Sequence, residues 1–139
     1  MKKILVATDG SADADKAVAR AIETAKREGA EIVVVNVAED WCPIGLSEVD
    51  CSTITDLVMK EARGIMAAAL DKFNAAGLEA KGFIETGTPA ETILDIANRE
   101  MVDEIIVASH GKHGAKKLVM GSVTSRLVEW ATCPVVVVK

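Results

Sequence analysis

The stretch Ile4-Leu5-Val6-Ala7-Thr8-Asp9-Gly10-Ser11 joins an apolar run to the start of a helical pattern. Residues 4–7 contain no polar side chain, which is typical of a strand covered on both faces of a parallel sheet. After Ser11, alanine, valine and isoleucine recur at helical spacing from Ala14 to Ala25. Ser11 is the expected N-cap of this helix and Gly29 follows its expected end. The sequence therefore predicts a strand followed directly by an amphipathic helix.

The same alternation continues along the chain. Further β-branched runs lie at residues 32–35, 105–108 and Val135–Val138, and a weaker run at residues 81–84 contains a lysine and a glycine. A charge and a glycine suit an edge strand, so the weak third run and the terminal fifth run are the expected edges of the sheet.

Three further helices are predicted between these runs. The second has apolar residues at helical spacing from Val58 to Phe73 and stops near Gly77. The third opens with Thr88-Pro89-Ala90-Glu91, a capping box with proline at the first helical position. The fourth follows Gly121-Ser122 and stops before Pro134.

This order predicts a single α/β domain over residues 1–139. Five parallel strands with right-handed crossovers form a doubly wound sheet of order 3-2-1-4-5, with helices on both faces. In such sheets ligands bind beyond the carboxyl ends of the strands where the strand order reverses, here between strands 1 and 4. The segments after Ala7 and after Ala108 are therefore the expected functional loops.

Composition excludes several classes of partner. The chain has 139 residues, 16 lysines and arginines against 21 acids, a net charge of −5 and only 3% aromatic residues. A nucleic-acid-binding surface normally appears as a basic face with aromatic side chains, so no polymeric nucleic acid is expected. No apolar run approaches the roughly 20 residues that span a bilayer, so no membrane partner is expected.

The N-terminal residues and the cysteines favour a cytoplasmic location. The basic and apolar start resembles a secretory signal, but its apolar part breaks at Thr8-Asp9-Gly10, so export is not expected. The three cysteines, Cys42, Cys51 and Cys133, have no Cys-x-x-Cys spacing. We therefore expect reduced thiols rather than a disulfide framework or a zinc site.

The loop after the first strand lacks the usual phosphate-binding motifs. Thr8-Asp9-Gly10-Ser11 matches neither G-x-G-x-x-G nor G-x-x-x-x-G-K-[ST]. An acid at this position would repel a phosphate. Asp9 could instead accept hydrogen bonds from a ribose hydroxyl or an adenine amine, or help to hold a metal. Alternatively, Asp9 and Ser11 only cap the first helix.

The loop after the fourth strand is locally basic within an acidic chain. Residues 108–122 contain Lys112, Lys116 and Lys117, two histidines and no acid. Gly121-Ser122 lies where the fourth helix begins, and the N–H groups of a helix start, its dipole and a serine hydroxyl together favour an anion. The alternative interpretation is a flexible, solvated loop.

At this point the residues resemble the universal stress protein family over essentially the whole chain. Asp9-Gly10-Ser11, residues 87–91 and the ending 133–138 carry the resemblance together with the five-strand alternation. The nucleotide-binding, UspA-like branch of that family is marked by a glycine, two residues, a glycine, nine residues, then glycine and serine or threonine. Gly111, residues 112–120 and Gly121-Ser122 match the second part, while Ala108 stands in place of the first glycine.

The resemblance implies a Rossmann-like fold, a homodimer and an adenine nucleotide as cofactor, ATP or another, with magnesium as a possible companion. Asp9 and the backbone of Val37, which follows the predicted second strand, would border adenine and ribose, and Gly111, Gly121, Ser122 and Val123 would surround the phosphates. The full set of predicted nucleotide-binding residues is Ala7, Thr8, Asp9, Val37, Ala108, His110, Gly111, Gly121, Ser122 and Val123. Two copies of Val135–Val138 would pair antiparallel in the homodimer.

The sequence offers no general base or arginine finger for fast phosphoryl transfer, so at most slow ATP hydrolysis is expected. One alternative function keeps the fold and the dimer without a nucleotide, as a protein-interaction module, and Ala108 is its direct support. A flavin carrier or a phospho-accepting receiver is disfavoured, because Glu85-Thr86-Gly87 stands where a receiver needs its aspartate. His110 and His113 lack a third metal ligand nearby. Residues 38–52 form a long connection that could serve as a lid or an interface.

Overall fold

The computed structural model describes residues 1–39, 45, 47–111 and 120–139. The order of elements is β1 (Lys3–Ala7), α1 (Ala12–Glu28), β2 (Glu31–Ala38), α2 (Glu48–Ala75), β3 (Ala80–Thr86), α3 (Pro89–Glu100), β4 (Glu104–Ala108), α4 (Ser122–Trp130) and β5 (Val135–Val138). The five strands form one sheet of order β3-β2-β1-β4-β5, and every pairing is parallel. The predicted doubly wound α/β fold is confirmed.

The apolar runs divide their side chains between two cores, one on each face of the sheet. Alternate residues of a strand point to opposite faces. Ile4, Val34 and Ile106 therefore pack with α1 and α2, whereas Leu5, Val35 and Val107 pack with α3 and α4. This arrangement explains why the central strands have almost no polar residues.

The caps of α1 follow the sequence prediction. The Ser11 hydroxyl accepts a hydrogen bond from the N–H of Ala14 at 3.1 Å, and Gly29 ends the helix in the left-handed conformation. The capping box predicted for α3 is not formed, because Thr88 is the N-cap but its side chain accepts no cap hydrogen bond. Pro89 at the first helical position is present as predicted.

Two predicted boundaries are wrong. The second strand continues to Ala38, so Val37 lies within β2 and pairs with Glu85 of β3 rather than following the strand. The connection predicted over residues 38–52 is shorter, because Ser47 caps α2 and the helix begins at Glu48. Trp41 and Pro43 belong to this connection, for which a lid and an interface were both considered, and they lie outside the described residues.

The expectation of reduced thiols is wrong for Cys51, which is disulfide-bonded, whereas Cys133 is a free thiol. The spacing of cysteines excludes a compact redox or zinc motif, but sulfur pairing depends on proximity in the folded chain. Burial raises the pKa of the Cys133 thiol above its ordinary value, which makes this thiol a poor nucleophile.

No helix among the described residues is long and apolar enough to cross a membrane.

Met101 has a backbone conformation that disfavours side chains, and this cost can be measured. It follows α3 in the left-handed conformation, with φ 52° and ψ 51°, and its side chain is 80% exposed. A residue with a Cβ in the left-handed conformation destabilises the fold by roughly 1–2 kcal/mol. Glycine avoids this cost, but it loses more conformational entropy on folding, which offsets part of the gain. We expect Met101→Gly to raise the free energy of unfolding by about 0.5–1 kcal/mol, measured by urea denaturation.

The matched control for this prediction is Met101→Ala, which removes the same exposed side chain but keeps the Cβ. It should show no such gain. Equal stabilisation by glycine and alanine would mean that loss of the exposed side chain, and not relief of the backbone, causes the effect.

Candidate functional site

A cavity of about 520 Å³ opens at the carboxyl ends of β1, β2 and β4. Its size is within the range of pockets that bind small molecules. The chain leaves β1 toward α1 on one face of the sheet and leaves β4 toward α4 on the other face. The cavity therefore lies where the strand order reverses, as the sequence predicted.

All of the residues predicted to bind a nucleotide line this one cavity. They are Ala7, Thr8, Asp9, Val37, Ala108, His110, Gly111, Gly121, Ser122 and Val123. Their positions on four separate segments of the sequence come together because parallel strands end at the same edge of the sheet.

The loop after β1 is held by side-chain hydrogen bonds from its own residues and from β2. The Asp9 carboxylate accepts a hydrogen bond from the N–H of Ser11 at 2.9 Å, and the Thr8 hydroxyl accepts one from Gly10 at 3.1 Å. Asn36 on β2 donates its amide to the carbonyl of Thr8 at 2.8 Å. Asp9 thus orders the loop before α1 and also lines the cavity.

Asp9 also lies against the loop that follows β4. A Cβ on Gly111 would collide with the Asp9 carboxylate, whereas the glycine leaves room for it. The two functional loops therefore touch, and a glycine at position 111 is what allows the contact.

The start of α4 is tied to the end of β4 by two hydrogen bonds. The N–H of Gly121 donates to the carbonyl of Ser109 at 2.8 Å, and the buried Thr124 hydroxyl donates to the carbonyl of Ala108 at 2.7 Å. Ser125 is the first residue of α4 whose N–H bonds back to the helix. Among the described residues, none accepts a hydrogen bond from the N–H groups of Ser122 and Val123 at the cavity, as is usual in the first turn of a helix.

Ala108 does not strain the site. It is the last residue of β4 and pairs with Val138, and Met101 alone among the described non-glycine residues has a positive φ. The Ala108 side chain packs in the core beneath α1 and is 5% exposed. Its methyl group therefore takes the place of the motif's first glycine without a backbone cost.

Charges in the described part of the cavity are negative. Asp9, Glu39 and Glu61 contribute to its lining, and no described lysine or arginine does. The basic residues of the loop after β4 lie outside the described residues, namely Lys112, Lys116 and Lys117. His113, which was considered as a metal ligand with His110, also lies outside them. No group of three or more described His, Cys, Asp or Glu side chains could hold a metal ion.

Several residues of the site were not foreseen from the sequence. Asn36 is buried and polar within a β-branched strand, a signal that could have identified it. One wall of the cavity comes from α2, through Val58, Glu61, Ala62 and Ile65. A helical pattern in the sequence does not indicate which strand ends the helix will cover. Ser109 is buried behind the cavity and contacts His110, with 3.1 Å between Oγ and Nδ1.

The Ser109–His110 pair does not form a hydrolase site. Ser109 is absent from the lining of the cavity, whereas His110 lines it, so the hydroxyl is not presented to a ligand as a nucleophile.

Comparison with known proteins gives a consistent result. The family model described as "Universal stress protein family" matches residues 1–139. The universal stress protein YxiE of Bacillus subtilis is 32% identical over 145 residues, covering 99% of this chain and 98% of the relative. The solved structure of UspA from Lactobacillus plantarum has a TM-score of 0.88 at 26% identity, covering 99% of this chain and 97% of that one.

More distant solved structures share the fold. A universal stress protein family member from Arabidopsis thaliana, with AMP bound, has a TM-score of 0.73 at 20% identity and covers 100% of this chain and 92% of that one. Two others of 22% identity were solved with cAMP and with dAMP.

The contact between Asp9 and Gly111 can be tested without any ligand. Gly111→Ala should lower the free energy of unfolding by about 1–3 kcal/mol, because the new methyl group overpacks the Asp9 carboxylate. In an Asp9→Ala background the same change should cost much less, giving a coupling of at least about 0.5 kcal/mol in a double-mutant cycle followed by urea denaturation.

Gly64→Ala on α2 is the control, because a Cβ there would meet nothing within 4 Å. It should not destabilise the protein. Additive effects of the Asp9 and Gly111 substitutions would contradict a direct contact between the two loops.

Proposed function

Because the chain belongs to the universal stress protein family, we propose that it is a cytoplasmic, homodimeric stress-response regulator that binds an adenine nucleotide. The observation that supports this most directly is the cavity of about 520 Å³, since it gathers all of the predicted nucleotide-binding residues at one sheet edge. Adenine nucleotides bound to distant members of the same fold supply the ligand class.

The two ends of the cavity suit the two ends of a nucleotide. The Asp9 carboxylate would accept hydrogen bonds from ribose or adenine. The backbone of Val37 could accept through its carbonyl and donate through its N–H. The first turn of α4 would take the phosphates, because the N–H groups of Ser122 and Val123 point out of the helix start and its dipole favours an anion. The acids Glu39 and Glu61 favour the uncharged nucleoside over the phosphates at their side of the cavity.

A divalent ion would enter with the nucleotide rather than occupy a site of its own. Magnesium is commonly held by phosphate oxygens with one or two carboxylates. The described residues would not hold a metal ion by themselves, since no group of three suitable ligands occurs among them.

Binding and signalling are favoured over fast catalysis. No described arginine or lysine lines the cavity to stabilise a transferring phosphoryl group, and Ser109 does not line it. Hydrolysis of ATP by this chain would therefore be slow at most.

The alternative of an interaction module without a nucleotide loses its main support. That alternative depended on Ala108, and the alanine lies in an ordinary strand conformation with its methyl group in the core. Nothing at position 108 requires the loss of binding.

The homodimer is proposed to form along β5. This strand is an outer edge of the sheet and consists of four half-buried valines, whereas the opposite edge strand, β3, carries Lys81 and Glu85. Charged side chains on an edge strand oppose its pairing with another chain, whereas an apolar edge strand without charges favours such pairing.

The nucleotide proposal is tested by two measurements. Mass spectrometry should detect an adenine nucleotide released on denaturing the purified protein, and calorimetric titration should show binding of ATP, ADP or AMP. We expect Gly121→Val to weaken binding at least about tenfold, since its φ of −63° admits valine but its side chain adds bulk beside the phosphates. Ala108→Gly is the control and should bind as well as the wild type.

Failure of the wild-type protein to bind any of these nucleotides at millimolar concentration would overturn the proposal. Unchanged affinity in Gly121→Val would contradict the placement of the phosphates at α4.

The dimer is tested at the backbone of β5. The carbonyl of Pro134 accepts from Ile105 and that of Val138 from Ser109, so by strand alternation the N–H of Val137 faces the open edge. Proline is tolerated where an edge N–H faces outward. We expect Val137→Pro to remain folded by circular dichroism but to sediment at 14.7 kDa, with the wild type at twice that mass.

Val137→Ala keeps the outward N–H and should remain dimeric. A monomeric wild type, or a proline variant that is still a dimer, would contradict pairing through this strand.

A further inference from the structure

The backbone of β2 has an open position at the cavity. Along a parallel strand, the N–H and C=O groups of successive residues point alternately to the two neighbouring strands. The carbonyl of Val35 accepts from the N–H of Thr8, which follows β1, and the carbonyl of Ala38 accepts from the N–H of Gly87, which follows β3. Val35 and Val37 therefore face the β1 side, whereas Ala38 faces the β3 side.

Val37 lies where the next bond between β1 and β2 would form. After the bond from Thr8 to Val35, a continued ladder would join the N–H of Val37 to the carbonyl of Thr8. That bond is absent, and within the described ranges 1–39, 45, 47–111 and 120–139 no backbone group bonds to Val37 on this side. Val37 lines the cavity, so its N–H and its carbonyl are both available to a ligand there.

The side chain of Asn36 holds the carbonyl that Val37 would otherwise use. Its Nδ2 donates to the carbonyl of Thr8 at 2.8 Å. Because a carbonyl only accepts, this contact fixes which end of the amide faces Thr8. Asn36 is 4% exposed and Thr8 is 6% exposed, so the bond is shielded from water.

This bond directs the Thr8 carbonyl out of the plane of the sheet. Alternate side chains of a strand share a face, and Val34 packs in the core beneath α1 and α2, so Asn36 lies on that face as well. The N–H of Val37 instead lies in the plane of the sheet, where ladder bonds form. A carbonyl drawn toward the Asn36 amide is therefore turned away from Val37.

A donor beside an acceptor suits the edge of a purine. The N–H and C=O of Val37 face the same side of β2, and adenine carries an acceptor, ring N1, next to a donor, its 6-amino group. A site that hydrogen-bonds such a group rejects an analogue that lacks it, because the partner in the protein is then left unpaired. The availability of both Val37 groups would therefore determine selectivity for the base.

We propose that Asn36 is a positioning residue that holds the Thr8 carbonyl out of the β1–β2 ladder and thereby keeps the N–H and C=O of Val37 available to the base of an adenine nucleotide. The contact with the base rests on the proposed function. The release of Val37 from the ladder is a property of the protein without ligand.

The first experiment measures amide hydrogen exchange in the ligand-free protein by ¹H–¹⁵N NMR. We expect the N–H of Val37 to exchange at least about a hundredfold faster than that of Val35, which is paired with β1. Asn36→Leu keeps a buried side chain of similar size but removes the donor. The Thr8 carbonyl should then accept from Val37, whose exchange slows at least about tenfold. General destabilisation would instead speed this exchange.

Thr124→Val is the matched control, because the buried Thr124 hydroxyl donates to the carbonyl of Ala108 at the end of β4. It removes the same kind of bond at a neighbouring strand and should leave the exchange of Val37 relative to Val35 unchanged. Asn36→Ala gives the same measurement if the leucine variant does not fold. Slow exchange of Val37 in the wild type, or no slowing in the Asn36 variants, would overturn the role of Asn36.

The second experiment measures selectivity for the base. Purine riboside triphosphate has the ribose and phosphates of ATP but lacks the 6-amino group. In calorimetric titrations the wild type should bind ATP at least about tenfold more tightly than this analogue. In Asn36→Leu the two affinities should differ by less than about threefold, because Thr8 then occupies the N–H of Val37. A merely structural role of Asn36 would weaken both ligands alike and preserve their ratio.

An ATP preference in Asn36→Leu equal to that of the wild type would overturn the link between Asn36 and the base. Equal wild-type affinities for ATP and the analogue would also overturn it, because Val37 would then not contact the 6-amino group. If the wild type binds neither ligand, the proposed function fails. The exchange of Val37 in the ligand-free protein still decides whether Asn36 keeps this residue out of the ladder.

Discussion

The structure depends on the side-by-side pairing of β1 and β4 at the centre of the sheet. Ile4 to Val6 pair in register with Glu104 to Ile106, and both strands are buried on both faces. Lys3 and Asp103 fix the amino ends, because the N–H of Lys3 donates to the Asp103 carboxylate at 2.8 Å and the N–H of Asp103 donates to the Lys3 carbonyl at 2.7 Å. With their starts fixed, the two chains must separate at the other end, where α1 and α4 cover opposite faces. The cavity is the space that this separation leaves.

That cavity keeps its shape through short backbone contacts across the gap. Gly111 admits the Asp9 carboxylate, and a Cβ on Gly121 would lie 3.4 Å from the carbonyl of Ser109. Gly10 has a φ of 80°, and a Cβ there would be 2.8 Å from Cγ1 of Ile65 on α2. The glycines therefore serve two purposes, since they allow the walls to approach one another and leave N–H groups accessible to a ligand. This double use explains why glycine marks both the fold and the candidate site.

The sequence predicted the features that depend on local pattern. Ser11 and Gly29 bound α1 as expected, and all four strong apolar runs are strands, because burial on both faces requires near-continuous β-branched residues. The sequence pattern gave wrong predictions for features that depend on tertiary contacts. Val37 is in β2 because β3 extends alongside it to Thr86, and the Thr88 side chain leaves its predicted capping box unformed. Ser109 could not be identified from the sequence, since Val138 and Gly121, which bond to its backbone, are brought to it only by the fold.

The distribution of charge links the candidate site to the two edges of the sheet. At the β3 edge, Arg99 pairs with Glu85, and Lys81 lies 5.0 Å from the ring centroid of Phe83, so charges cover the one aromatic side chain of that strand. The β5 strand consists of valines alone, and its last carbonyl, that of Val138, bonds to Ser109. A partner strand on β5 would therefore restrain the same residue that contacts His110 and the start of α4. Because coupling between two sites is reciprocal, any factor by which a ligand at this corner changes association at β5 equals the factor by which association changes the binding of that ligand.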